Sequence, residues 1–167
     1  MGKAGILLPD GACETILVDT REQTPWEFEN VYFHGEKRTF PTRRATLKSG
    51  DYTLEGLESF AAIERKSLTD FLSSITRGRD RFKREMERLA DFRSKAIIVE
   101  QPLDDAFNAR EFGSLVNPDS IAGTIASWGA RYGIQFLFCR NRASAQFVAL
   151  HFLNQAKRLF EEENKNE

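Results

Sequence analysis

The amino-acid sequence predicts an α/β fold, a mixed central β-sheet flanked by helices, on three observations. Short apolar runs of strand type fill the first third of the chain. Beyond it, such runs alternate with segments whose apolar residues recur at helical spacing. No internal repeat or linker interrupts this order, and 167 residues are enough to bury about two thirds of the unfolded surface in one domain. The expected boundaries are a flexible segment over 1–13, a single domain over 14–162 and a frayed acidic tail over 163–167.

The elements follow in order. "ETILVD" (Glu14 to Asp19) is an apolar strand that stops at the charged cluster "DTRE". "QTPWEF" reads as a loop at Pro25, and Phe28 to Pro41 as a loop or irregular hairpin. "RRATLKSGDYTL" (Arg43 to Leu54) and "FAAIERK" (Phe60 to Lys66) are strands flanking the turn "GLES". "SLTDFLSSI" is a short helix opened by Ser67 and Asp70 in capping-box spacing. Phe82, Met86, Leu89 and Phe92 predict a helix over Arg79 to Arg93, and "KAIIVE" (Lys95 to Glu100) a buried strand. Asn117 and Pro118 start a helix with Ile121, Ile125, Trp128 and Tyr132 on one stripe, ended by Gly133. "IQFLFC" is a further strand. Ala145, Val148, Phe152, Ala156, Leu159 and Phe160 mark a long last helix, with Phe147, Leu150 and Leu153 off the stripe. A stripe that wide suits a deeply buried helix or one that also meets a second copy of the chain, a homodimer through the C-terminal helices.

Composition excludes several classes. With 41% hydrophobic residues and 14 Phe the chain is neither disordered nor of low complexity. No apolar run approaches the roughly 20 residues of a membrane helix, and the N-terminus fits no secretory signal or myristoylation site, so no membrane association and a cytoplasmic location are expected. Cys13, Cys139, His34 and His151 are isolated and offer neither zinc spacing nor a disulfide framework. The net charge of −1 hides an asymmetry: Gly35 to Lys95 holds 15 Lys/Arg against 10 Asp/Glu. One positive face of that kind suits a polyanion. Arg77 to Lys95 alone has eight basic and four acidic residues. That segment reads equally as a solvated amphipathic helix or as a surface gripping a nucleic-acid backbone through Arg77, Arg79, Arg81, Lys83 and Arg84. Trp26 and Tyr52 could stack on a base, with core packing the better reading of Tyr52.

The densest charge lies in "AIERKSLTD", Ala62 to Asp70. If the flanking strands form a hairpin closed in "GLES", with its midpoint between Leu57 and Glu58, Asp51 and Glu64 face each other directly. Two carboxylates so placed repel unless a cation sits between them. Lys66 shares the face of Glu64, and Arg65 takes the other. Hard carboxylate oxygens suit Mg²⁺, with Mn²⁺ as a substitute, and a lysine beside them can neutralise a phosphate or orient a water. Simpler readings exist for each residue. Asp19 could cap a loop, Glu22 could pair with Arg21 on the surface, Asp51 could be a turn aspartate, and Asp70 could serve only as the third-position acid of the Ser67 cap.

Acid, then Glu64-Arg65-Lys66, has the form of the restriction-endonuclease-like nuclease core. "VDTRE", "GDYTL", "IERKSLTDF" and "GRDRFKREMERL" follow one another in the order of the XPF family of structure-specific endonucleases, which the chain resembles from Glu14 to Phe160. The resemblance implies a restriction-endonuclease-like fold and a Mg²⁺-dependent DNA endonuclease acting on branched or otherwise structured DNA in repair, recombination or replication. It implies that Asp19, Asp51 and Glu64 face the metal, that Arg65, Lys66 and Asp70 complete the active site, and that Arg21 and Glu22 match the first motif. The alternative is a non-catalytic DNA-binding or scaffolding subunit, although such partners tend to lose the carboxylates that stand here. No helix-hairpin-helix module follows the motif in this sequence. The chain is therefore similar to small stand-alone members from bacteria and their viruses, for which an additional partner could supply DNA targeting.

Overall fold

The computed structural model describes residues 5–8, 12–109 and 116–165. Its contacts divide the chain into two compact units, Met1–Ile63 with Gln146–Glu167, and Glu64–Ala145. Among the described residues no helix is long and apolar enough to cross a membrane.

The first unit contains β1 (Ile16–Asp19), β2 (Val31–Phe33), β3 (Glu36–Arg38), β4 (Thr42–Ala45), β5 (Tyr52–Leu54) and the opening residues of β6 (Ala61–Lys66). Strand order is β4-β1-β5-β6, while β2 and β3 form a separate hairpin. Ile16, Leu17 and Val18 of β1 are all buried, as a continuous apolar run demands of a strand covered on both faces. β1 runs parallel to β4 and antiparallel to β5. β5 is antiparallel to β6 with Tyr52 opposite Ile63, a pair that shares the midpoint expected for the "GLES" turn.

The stretch from Arg43 to Leu54, expected as one strand, is two. The break has a cause outside the stretch itself. The Leu47 amide donates to the Asp19 carboxylate at 2.8 Å, which pulls the chain out of the sheet. Gly50 then turns it back with φ +79°, and a Cβ there would lie 3.0 Å from the Ile63 carbonyl oxygen and 3.2 Å from the Ala62 Cβ. Glycine is required at this position by both conformation and space.

The aromatic core of this unit answers the question of Trp26 and Tyr52. The two rings stack at 4.6 Å with Phe28 edge-on, and all three are buried, so neither is placed to stack on a base. Within the N-terminal segment expected to be loose, Ile6 is fully buried and its amide donates to Asn154 Oδ1 at 3.1 Å. The last helix, α5 (Arg142–Asn164), reaches into the expected tail. Its buried face is also not the expected stripe. Ala145, Ala149, Leu150, Leu153, Asn154 and Ala156 are buried, whereas Val148, Phe152, Leu159 and Phe160 are half-exposed. The buried set mixes three alanines with Leu150 and Leu153, two residues expected off the stripe.

The second unit holds the rest of β6, then α1 (Leu68–Ile75), α2 (Arg79–Leu89), β7 (Ser94–Val99), α3 (Leu103–Phe107), α4 (Pro118–Tyr132) and β8 (Gln135–Phe138). Strand order is β6-β7-β8, with β7 and β8 parallel. The caps follow the sequence. Ser67 Oγ accepts from the Asp70 amide at 3.1 Å, and Asn117 Oδ1 from the Ser120 amide at 2.8 Å. Gly133 ends α4 in the left-handed conformation. α2 ends four residues before the expected Arg93. Lys95 Nζ donates to the Ala90 and Phe92 carbonyls at 3.0 and 2.8 Å, satisfying the helix terminus while Phe92 folds into the core. The short α3 has no counterpart in the sequence reading.

Candidate functional site

Asp19, Arg21, Glu22 and Asp51 belong to the first unit. Glu64, Arg65, Lys66, Asp70 and the basic segment belong to the second.

In the first unit, β1 and β5 bring two acids together. The pairing of Val18 with Tyr52 extends by one residue, and the Asp19 amide donates to the Asp51 carbonyl at 2.8 Å. Asp19 and Asp51 are therefore directly opposite each other, and directly opposite residues share a sheet face. The Asp19 side chain is 1% exposed and fully engaged. Its Oδ1 accepts from the Arg21 amide (2.9 Å) and Nε (2.7 Å), its Oδ2 from Arg21 Nη2 (3.1 Å) and the Leu47 amide (2.8 Å). Burial by itself would raise this carboxyl. The Arg21 guanidinium, the two backbone amides and the Arg21 charge outweigh it and hold the group below the usual carboxylate range. Arg21 also donates to the Leu47 carbonyl, so it braces the loop while two thirds of its side chain stays in solvent. Glu22 is buried and serves the local backbone. Its Oε1 accepts from the Thr24 amide at 2.8 Å, closing the turn before Pro25.

In the second unit, Lys66 Nζ lies 3.3 Å from Glu64 Oε1, which confirms that the two side chains share a face of β6. Arg65 has other company. Its Nη1 meets Glu100 Oε2 at 2.9 Å, and Arg142 holds the other oxygen of Glu100 at 2.9 Å. Arg65 is thus built into an Arg–Glu–Arg bridge across β6 and β7 rather than beside Lys66. Asp70 is exposed at the first turn of α1, where its amide, not its carboxylate, bonds the capping serine. Lys66 and Asp70 line a cleft of about 250 Å³ together with Gly78, Arg81, Phe82 and Glu85.

The five basic residues separate into two kinds. Arg79 donates to the Ile75 carbonyl at 3.2 Å and to Thr124 Oγ1 at 3.1 Å, and its guanidinium lies 4.9 Å from the centre of the Trp128 ring. It ties α1, α2 and α4 together while the residue as a whole remains exposed. Arg77, Arg81, Lys83 and Arg84 are exposed as well. Arg81 and Lys83 each have an acid one turn on, Glu85 at 3.5 Å and Glu87 at 3.8 Å.

Two partners escaped sequence reasoning. Glu100 ends the buried run "AIIVE" as Asp19 ends "ILVD", and a charge at the end of a buried strand was the available signal. Glu85 gave none beyond its helical spacing from Arg81, because its link to Lys66 depends on how α2 packs.

Two solved structures share the fold. XPF from Aeropyrum pernix superposes with a TM-score of 0.65 at 22% identity, over 85% of this chain and 61% of that one. The same organism's XPF in complex with DNA gives 0.61 at 22% identity, over 90% of this chain and 66% of that one. The chain thus spans under two thirds of the length of each. No curated protein matches the sequence. The mixed sheet flanked by helices is accordingly the restriction-endonuclease-like fold expected from the motifs. The ERCC4 domain matches residues 18–150, most of the chain and all of the charged motifs, and the chain belongs to that family.

Proposed function

We propose that this protein is a Mg²⁺-dependent DNA endonuclease that hydrolyses phosphodiester bonds in branched or otherwise structured DNA. The observation that carries the reading is the register of β1 and β5, which sets Asp19 directly opposite Asp51, within the stretch that matches the ERCC4 domain. The neighbour solved in complex with DNA supports the choice of substrate class.

In this reading Asp19, Asp51 and Glu64, with Glu22 as a further donor, hold the metal, and Mn²⁺ can replace Mg²⁺. The donor set fits in its chemistry, since all the ligands are hard carboxylate oxygens. Among the described residues, however, no three such side chains stand grouped around a common point. Asp19 becomes available only when Arg21 moves off it. The bound ion would acidify a water and stabilise charge on the phosphate. Lys66 would neutralise the scissile phosphate and orient the attacking water, and exposed Arg77, Arg81, Lys83 and Arg84 would hold the DNA backbone independently of sequence. The half-exposed apolar flank of α5, with Phe147 43% exposed, supports a homodimer through the C-terminal helices, which light scattering at micromolar concentration tests.

The deciding experiment incubates the protein with Mg²⁺ or Mn²⁺ and labelled single-stranded, duplex, flap, fork and four-way DNAs. Cleavage of branched substrates is expected. Asp51→Asn and Glu64→Gln should each abolish it while DNA binding persists. Cleavage that survives in the double variant sinks the site. A wild-type protein that binds these DNAs and cuts none, with Arg21 permanently on Asp19, is instead a non-catalytic DNA-binding subunit.

A further inference from the structure

The Lys66 side chain is 10% exposed, and its ammonium stands between two acids, Glu64 at 3.3 Å and Glu85 at 3.6 Å. Its Nζ lies 4.8 Å from the centre of the Phe82 ring, so the stem and head are held against an apolar wall. Phe82 and Glu85 are three apart on α2 and therefore neighbours on one helix face. Glu85 Oε2 is buried and makes no hydrogen bond. At 3.6 Å it stands just outside hydrogen-bond distance of Nζ, and the flexible lysine stem can close that gap. The other Glu85 oxygen faces Arg81 at 3.5 Å, whose side chain is 83% exposed, and Asp70 lines the same cleft. A carboxylate oxygen buried without a hydrogen bond is costly, and Lys66 is the buried cation that Oε2 faces.

We propose that Glu85 is a positioning residue for Lys66. Resting on the nuclease reading, the inference gives the two acids different roles. Glu64 is the partner that Lys66 loses when that carboxylate is recruited to a cation. Glu85 is the partner it keeps, and the ammonium then shifts toward Oε2 and stays in the cleft instead of following the DNA into solvent. Glu85 touches neither substrate nor reacting atoms. It acts through Lys66.

The test is a double-variant cycle with Glu85→Gln, Lys66→Met and the pair, measuring kcat and KM on the best-cleaved DNA, together with ¹⁵N spectra of the lysine ammonium groups in the metal-free protein. Glu85→Gln keeps shape and removes charge. It should lower kcat by about 10²-fold, the scale of a misplaced group near the chemistry, with KM changed less than twofold. Glu85→Asp, which retains the charge on a shorter stem, should recover part of the loss. In the Lys66→Met background, Glu85→Gln should cost nothing further. The Lys66 ammonium signal, held from solvent exchange in the wild type, should broaden or vanish in Glu85→Gln. Losses that multiply in the double variant would overturn the proposal, as would an unchanged Lys66 signal. If the wild type cleaves no DNA, the nuclease reading fails on that result, and the spectrum alone decides for or against the placement of Lys66 by Glu85.

Discussion

Tyr52→Phe isolates one hydrogen bond beneath the candidate site. Tyr52 directly follows Asp51, its ring is fully buried, and its hydroxyl accepts from the Trp26 amide at 2.8 Å. The ring stacks on Trp26 at 4.6 Å and meets Phe28 edge-on at 5.7 Å. Phenylalanine keeps the ring, both aromatic contacts and nearly all the volume, so no cavity term arises. What is lost is the acceptor of a buried N–H, which costs about 1–3 kcal/mol. A loss near 2 kcal/mol lowers Tm by about 4–8 °C for a chain of this size. Urea unfolding should show that loss with an unchanged slope. Anisotropy with labelled DNA on the folded variant should show unaltered affinity, since the ring does not reach solvent. A loss under about 0.5 kcal/mol would refute the reasoning, because a buried donor left without its acceptor costs more than that. So would a tenfold weaker DNA complex at unchanged stability, which would return the ring to base stacking.

Three further outcomes are expected. Ser67→Ala removes the oxygen that caps α1 and should cost about 1 kcal/mol in urea unfolding. Asp70→Ala keeps the capped amide and should cost less, so a fall of more than tenfold in cleavage by Asp70→Ala would mark a role in the site beyond the helix end. Arg79→Ala should lower Tm, because it strips two hydrogen bonds and the Trp128 contact, whereas Arg84→Ala should leave Tm unchanged, weaken DNA binding and reduce its salt slope by about one. Burial and then the neighbouring His34 hold His151 below the usual histidine range. The neutral ring therefore stabilises the fold above the unfolded value near 6.5, and that contribution is lost as pH falls through the lower folded value. His151→Leu should flatten the fall of stability between about pH 7 and 5, which thermal melts across that window would show.

Local signals carried much of the fold. The apolar run of β1, the Ser67 and Asn117 caps, the Gly133 stop and the hairpin midpoint are each encoded within a few residues, and each stands where the sequence put it. What failed depends on distant partners. The strand expected from Arg43 to Leu54 breaks because an aspartate 28 positions away captures the Leu47 amide. The buried face of α5 keeps Ala145 and Ala156 of the expected stripe but adds Leu150 and Leu153 in place of Phe152 and Leu159, because on a helix apolar on several sides the partners it packs against decide which side is buried. The charged motif was legible as a set and less so as a geometry. Alternation along β6 gave Glu64 and Lys66 their shared face. It could not say that Glu100 holds Arg65, that Arg21 grips Asp19, or that Arg79 also bridges three helices.

The bond between Arg21 and Asp19 has a consequence for the proposed metal site. A buried acid ordinarily makes folding hostage to a counter-ion. Here the counter-ion is two residues away in the same chain. If the proposed metal dependence holds, chelators should strip cleavage and leave the fold standing. Any cation entering at Asp19 displaces an internal rival, so its apparent affinity reports an exchange rather than a simple occupation. A DNA phosphate that draws the solvent-facing arginine toward itself would tilt that exchange, and substrate and metal would each arrive more readily in the other's presence.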